Sequence, residues 1–209
     1  MPIITIRGQF ESGAPEIGRL VAERIGGDYV DREIISRVAE KLDLEHEHVV
    51  AKEQPPGGLW GRITHALEHS MAYGGDVAGV YAPVWQAPTS DAHYVDALVS
   101  VIKELAEAPA IVIRGRGGQF ILKDHPRAFH VLVVAPLEPR ISRTMSTLNL
   151  SRDAAKKEIE RSESSHRTFI KRYFGADLED PVNYDLTVNT GQISYEAAAI
   201  IVDAAARRH

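Results

Sequence analysis

Residues 2–25 read PIITI, then RGQFESG, then APEIGRLVAERI, and this unit limits the fold more than any other stretch. Ile3 to Ile6 is a short β-branched run that predicts a strand. Gly8 to Gly13 predicts a loop. Pro15 suits a first helical turn, and Ile17, Leu20, Val21 and Ile25 fall on one helical face, which predicts a helix over 15–25.

The remaining chain repeats that alternation. GGDYVD (26–31) predicts a turn and a brief strand, Arg32 to Leu42 a helix, and Ala92 to Ala106 a helix with Val95, Leu98, Val99, Ile102 and Leu105 aligned. PAIVIRGRGG (109–118) is a buried-type strand entering a Gly/Arg turn, with a short helix over 119–122. AFHVLVVAP (128–136) is another buried strand, 138–148 a helix, and 152 to about 172 a long charged helix with Ser151 as N-cap. LTVNT (186–190) predicts the last strand and 194–207 the closing helix. Apolar strands alternating with amphipathic helices imply a parallel sheet covered on both faces. Ligands of such sheets bind beyond the carboxyl ends of the strands, so the turns at 7–13 and 114–118 should face one cleft.

Gly8 and Gly13 have the spacing and placement of a phosphate-binding loop, where glycines let backbone N–H groups turn inward and a helix N-terminus adds partial positive charge. The lysine expected next is Ala14 and the hydroxyl expected after it is Pro15, although Ser12 is close enough to be considered for Mg²⁺. Taken alone, the spacing fits an ordinary strand-to-helix turn as well as it fits a phosphate site.

Composition narrows the classes. The 209 residues carry 24 Lys and Arg against 29 Asp and Glu, a net charge of −5, so no overall basic footprint for nucleic acid exists. Cysteine is absent, which excludes disulfides, zinc–thiolate sites and thiol catalysis. No apolar run reaches the ~18 residues of a membrane span, and no leader pattern opens the chain. A cytoplasmic protein without a membrane partner is the expectation.

Two middle features compete with a phosphate reading. HALEH (65–69) fits an inverted zinc-protease pattern, with EHEH (45–48) nearby, but such a short pattern arises easily among nine histidines and no third ligand is evident. A polar helix face is the plainer reading. Trp60, Tyr73, Tyr81 and Trp85, set among Gly and Pro, form an apolar irregular stretch, which could wall a base site or form a homodimer contact through 55–92.

The ordered set ITIRGQFESGAPEIGRLVAERIGGDYVDREII, then IVIRGRGGQFILKDHPRAFHVLVVAPLEPRISRTM, then NYDLTVNT resembles the cytidylate kinase-like family, P-loop relatives of nucleoside monophosphate kinases with variant phosphate loops. The likeness spans roughly 1–45 and 95–209. It implies a three-layer α/β fold, with a five-stranded parallel sheet, helices on both faces and a helical lid over 151–180. It also implies a single domain over 1–209, with an acceptor-binding or interface insert over 43–94.

By that resemblance Gly8, Ser12 and Gly13 form the phosphate loop, with Ala14 in the lysine position. Asp31, followed by Arg32, begins the acceptor helix. Arg116 matches the arginine of an Asp-Gly-Arg turn. Arg161, Arg167, Lys171 and Arg172 fall where a lid supplies cations, and Asp185 sits in NYDL. ATP and Mg²⁺ are the implied cofactors, nucleotides the implied partners, and transfer of the ATP γ-phosphate to a nucleoside monophosphate the implied activity. Two departures stand against it: the lysine is missing, and the aspartate of Asp-Gly-Arg is Arg114. Arg7, Arg114 and Arg19 are the candidate substitutes. The alternative is a noncatalytic nucleotide-binding protein.

Overall fold

In the computed structural model, which describes residues 2–31 and 91–209, the strand β1 (Ile3–Gly8) lies in the middle of a five-stranded sheet. Its neighbours are β3 (Ile111–Arg114) and β4 (Ala128–Val134), while β2 (Asp28–Val30) and β5 (Leu186–Asn189) form the edges. The order is β2-β3-β1-β4-β5, and every pairing is parallel. Ile6 stands opposite Arg114 on one side and Val131 on the other, and Gly8 is level with Val133. All carboxyl ends therefore open to one side.

Two-residue periodicity splits the sheet into two cores. Ile3, Ile111, Ile113 and Val30 pack on α2 (Asp91–Leu105) through Leu98, Val101, Ile102 and Leu105. Ile4, Ile6, Val112, Val131, Val133 and Val188 face the other way, onto α1 (Ala14–Ile25) and α6 (Tyr195–Ala206). Each fully buried Ile or Leu contributes about 1.5–3 kcal/mol relative to exposure, which is why these positions define the layers. A smaller cluster of Phe10, Ile141, Ala155 and Ile159 ties the glycine loop to α4 (Leu137–Leu148) and α5 (Arg152–Phe174). A short α3 (Gly118–Ile121) follows the Gly/Arg turn.

Helix ends are closed by identifiable groups. Ser151 and Ser194 accept from the N–H groups of Ala154 and Ala197 at the starts of α5 and α6. Asn149 and Gly175 end α4 and α5 in the left-handed conformation. The Arg127 guanidinium donates to the carbonyls of Ala106 and Ala108 just beyond α2. No helix among the described residues is long and apolar enough to cross a membrane.

The strands and helices expected over 3–31 and 92–207 are present, with boundaries moved by one to two residues. The helix over 32–42, the insert to residue 90, EHEH, HALEH, Arg32 and the aromatic stretch lie outside the described residues.

Candidate phosphate site at the carboxyl edge of the sheet

The chain leaves β1 for α1 and leaves β3 toward β4, so the adjacent ends of β1 and β3 form a crevice where the connections part. Such a crevice is where open parallel sheets place ligands. The loop 8–13 stands on one side of it, and the turn 115–117 on the other.

The loop is tightly built. A Cβ on Gly8 would come within 2.3 Å of the Ala14 Cβ, so only glycine lets the two ends of the loop touch. Gly13 has φ +88° and caps α1 without any side-chain hydrogen bond; a Cβ there would lie 2.2 Å from the Tyr195 ring. Glu11 is also left-handed, at φ +58°. Left-handed residues in a loop before a helix make the concave arrangement of N–H groups that accepts anions. Inside the loop, the Ser12 N–H donates to the Gln9 carbonyl, and the Gln9 side chain accepts from the Ala135 N–H. The N–H groups of Gly13 and Ala14 find no acceptor among the described residues. They are the leading donors of a helix start that no side chain caps.

Ser12 is wholly enclosed, and its hydroxyl has no hydrogen-bond partner among the described residues. It lies 2.7 Å from the position of a Cβ on Gly8. Ala14 is only 2% exposed, so the position of the usual lysine is sealed against the loop.

Arg7 and Arg114 do not converge on one point. Alternation sends Arg7 to the α2 face of the sheet and Arg114 to the α1 face. Arg114 donates from Nε to Asp31 Oδ2 at 2.9 Å and from Nη2 to Oδ1 at 2.6 Å. Tyr29 donates its hydroxyl to the same Oδ2 at 2.9 Å, and Arg19 lies 5.4 Å from the Tyr29 ring centre. Burial works to lower the Arg114 pKa, but the charges and hydrogen bonds of Asp31 and Tyr29 together hold the guanidinium above its ordinary value. Burial likewise pushes the Tyr29 phenol up. Arg114 is thus a partner for Asp31, and the two residues expected at different subsites are one ion pair. Arg7 sits near Tyr184, whose phenol is pushed up to about 12 by burial, with the Arg7 charge opposing. Tyr184 donates to the Leu178 carbonyl and accepts from Gln119 Nε2.

Arg116 occupies a turn in which Gly115, Arg116 and Gly117 all have positive φ, at 80°, 54° and 75°. A left-handed arginine is uncommon and marks a backbone held by its surroundings. The carboxyl end of α5 supplies part of that hold: a Cβ on Gly117 would meet the Phe174 ring at 2.8 Å, and Phe174 stacks on Phe120 at 5.6 Å. Helix α5 therefore reaches from Phe10 beside the glycine loop to the Arg116 turn.

The cations of α5 are arranged differently from the expectation. Ala155, Ile159, Ser162, Glu163 and Ile170 form its buried stripe. Arg161 leaves the outer face, 56% exposed and paired with Glu158 at 2.8 Å, so this helix position does not bring it to the crevice. Arg172 lies over the Tyr173 ring at 5.2 Å, Lys171 reaches the Gly175 carbonyl, and Arg167 approaches Glu179 at 3.8 Å. Asp185 stands apart from the two strand-end turns. It precedes edge strand β5, level with the middle of β1, and its carboxylate accepts the His130 N–H at 2.7 Å. It closes the start of a strand instead of facing the carboxyl edge.

Three residues bear on the loop that sequence reasoning did not single out. Arg140 and Arg143 of α4 donate to the carbonyls of Phe10 and Glu11, and Thr190, just past β5, donates to that of Ser12. Their only local signal is position: an arginine pair three residues apart, and a threonine at a strand's carboxyl end. Among the described residues no cluster of three His, Asp or Glu side chains could hold a metal ion.

Comparison with known proteins agrees with this architecture. A 99-residue stretch is 28% identical to uronate isomerase of Corynebacterium glutamicum, covering 47% of this chain and 19% of that protein. A 104-residue stretch is 30% identical to cytidylate kinase of Methanocaldococcus jannaschii, covering 49% of this chain and 58% of that one. The matched stretches thus span only part of either relative. The crystal structure of an uncharacterized protein from Eubacterium ventriosum superimposes over 100% of both chains with a TM-score of 0.71 at 15% identity, a likeness of fold. The pattern of one family matches residues 3–192, nearly the whole sequence, and the chain therefore belongs to the cytidylate kinase-like family.

Proposed function

We propose that this protein binds ATP in the loop 8–13 and transfers its γ-phosphate to a nucleoside monophosphate, cytidylate being the family default. One observation carries the reading: the uncapped start of α1, with the Gly13 and Ala14 N–H groups directed to no acceptor, at the carboxyl end of the central strand. Phosphate oxygens would accept from those donors, each a charge-assisted bond contributing about 1.5–3 kcal/mol. Arg116, across the crevice, is the proposed neutraliser of the transferring group, and Asp31 with Arg32 the proposed start of the acceptor side. The described donor set suits an anion and not a bare cation, because the Asp31 carboxylate is taken by Arg114 and Tyr29 and Ser12 is enclosed. Mg²⁺ would enter held by the nucleotide's own oxygens and water.

A second reading, binding without turnover, is favoured by a specific set of contacts. The lysine position is a sealed alanine, and one candidate substitute, Arg114, and one expected lid cation, Arg161, are held by carboxylates. A coupled assay for ADP release across nucleoside monophosphates tests the first reading, and calorimetry with ATP separates the second. ATP binding with no ADP formed supports a sensor or scaffold. Absence of binding by any nucleotide sinks both.

A further inference from the structure

Three consecutive carbonyls of the loop, at Phe10, Glu11 and Ser12, each accept from a side chain outside the loop, two of them on α4 and one just past β5. Arg140 Nη1 reaches the Phe10 oxygen at 3.4 Å, Arg143 Nη1 the Glu11 oxygen at 2.8 Å, and Thr190 Oγ1 the Ser12 oxygen at 2.8 Å. We propose that Arg140, Arg143 and Thr190 are positioning residues that turn the loop's N–H groups toward the phosphate by holding its carbonyls away from it. The inference rests on the phosphate-binding reading of the loop and says what sets the affinity of that site.

The argument is geometric. In a trans peptide the C=O of one residue and the N–H of the next point in opposite directions. Holding the Phe10 carbonyl fixes the direction of the Glu11 N–H. Holding the Ser12 carbonyl fixes that of the Gly13 N–H, a donor with no acceptor of its own among the described residues. The Glu11 carbonyl pin fixes the Ser12 N–H, which closes the loop onto the Gln9 carbonyl. Glu11 and Gly13, the two left-handed positions, are therefore set by contacts outside the loop.

The holders are themselves held. Arg140 and Thr190 are 6% and 7% exposed. Arg140 also donates to the Ala135 carbonyl and to Glu163 of α5, so the long helix and the loop share one guanidinium. Arg143 lies over the Tyr195 ring, 5.4 Å from its centre, and that ring packs on Gly13. Thr190 is fixed by its own N–H, which donates to the Val134 carbonyl. Donors kept in place before a ligand arrives cost no reorganisation when it binds.

The test uses the full chain, with ATP and inorganic pyrophosphate as probes. Thr190→Val removes the hydroxyl at nearly constant shape, and Thr190→Ser keeps it. Loss of this hydrogen bond should weaken ATP and pyrophosphate binding about tenfold by calorimetry, with Thr190→Ser close to the wild-type protein. The Gly13 amide resonance of the ligand-free protein should move in Thr190→Val and return in Thr190→Ser. Arg143→Met should act in the same direction and carries the test if Thr190→Val does not fold. Unchanged affinity in both variants, or an unchanged Gly13 amide, overturns the proposal. Failure of the wild-type protein to bind either probe is a different result: it overturns the phosphate reading, while the amide shift still decides whether the carbonyl contacts orient the loop.

Discussion

The Arg114–Asp31 pair gives the sharpest test, because it decides whether Arg114 replaces the missing lysine. Its closest contact is 2.6 Å, and the two side chains are 16% and 17% exposed. At an effective dielectric of 20, unit charges at 2.6 Å attract by about 6 kcal/mol before desolvation is subtracted. Breaking a buried pair from one side costs ~3–5 kcal/mol, since the remaining charge is left without its partner. Partial exposure places this pair near the lower limit, about 3 kcal/mol. Asp31→Leu or Arg114→Met alone should therefore lower urea-unfolding stability by about 3 kcal/mol, equivalent to roughly 6–12 °C in Tm for a chain of this size. The double variant replaces the pair by apolar groups without changing net charge, so it should recover most of that loss. It should also bind ATP within about twofold of the wild-type protein, because a guanidinium committed to Asp31 offers little to phosphate. A coupling energy under ~1 kcal/mol in the double-mutant cycle would show the pair to be no more than a surface contact. A loss of ATP affinity of about tenfold or more in the stable double variant would mean that Arg114 serves the phosphate after all.

Other outcomes follow from the same contacts. Gly13→Ala places a Cβ 2.2 Å from the Tyr195 ring at φ +88°, so thermal unfolding should show a loss of about 2 kcal/mol or more, and ATP binding should weaken with it. Arg140→Met alone strands Glu163 in a buried site and should cost about 3–5 kcal/mol by urea unfolding, with Arg140→Met/Glu163→Met recovering much of it. Burial lowers the His130 pKa, with His209 acting the same way and Asp185 opposing, so the folded protein resists protonation. That contribution is complete above the unfolded value of about 6.5 and is lost as pH falls from there toward the folded value. Tm should accordingly drop more between pH 7 and 5 in the wild-type protein than in His130→Gln, and parallel profiles would count against it.

How far the sequence reveals this fold depends on the range over which each signal acts. The run Ile3–Ile6, the stripe Ile17, Val21, Ile25 and the Ser151 cap are local patterns, and each forms the element expected of it. The two strand-end turns also lie at one edge, because a parallel sheet allows nothing else. Charged side chains are another matter. Arg114 finds its carboxylate 83 residues away, just past an edge strand, and the Thr190 contact spans 178 residues. No local periodicity contains such partners. Asp185 in NYDL is equally nonlocal: just before β5 its carboxylate accepts the His130 N–H, 55 residues away. Arg161 differs for a subtler reason: helical spacing is legible, but which face is buried depends on Ala155 and Ile159 meeting Phe10.

The missing lysine weighs differently on binding and on catalysis. Binding of a polyphosphate needs a few charge-assisted N–H bonds of about 1.5–3 kcal/mol each, together with a helix start adding up to about 2 kcal/mol. Those terms reach the roughly 8 kcal/mol of micromolar affinity without any lysine. Transfer needs more, because charge develops on the moving group and must be met where it appears. Losing one well-placed donor at such a point typically costs about 10²- to 10³-fold in rate. The loop's carbonyl contacts improve the direction of its N–H groups but add no positive charge. On the proposed reading the compensation comes from Arg116, whose left-handed turn is braced by Phe174 at the end of α5. On that account Arg116→Lys should lower turnover more than ATP affinity, as measured by kcat against calorimetric Kd. A matched loss in both would assign Arg116 to ground-state binding and leave this loop a nucleotide holder.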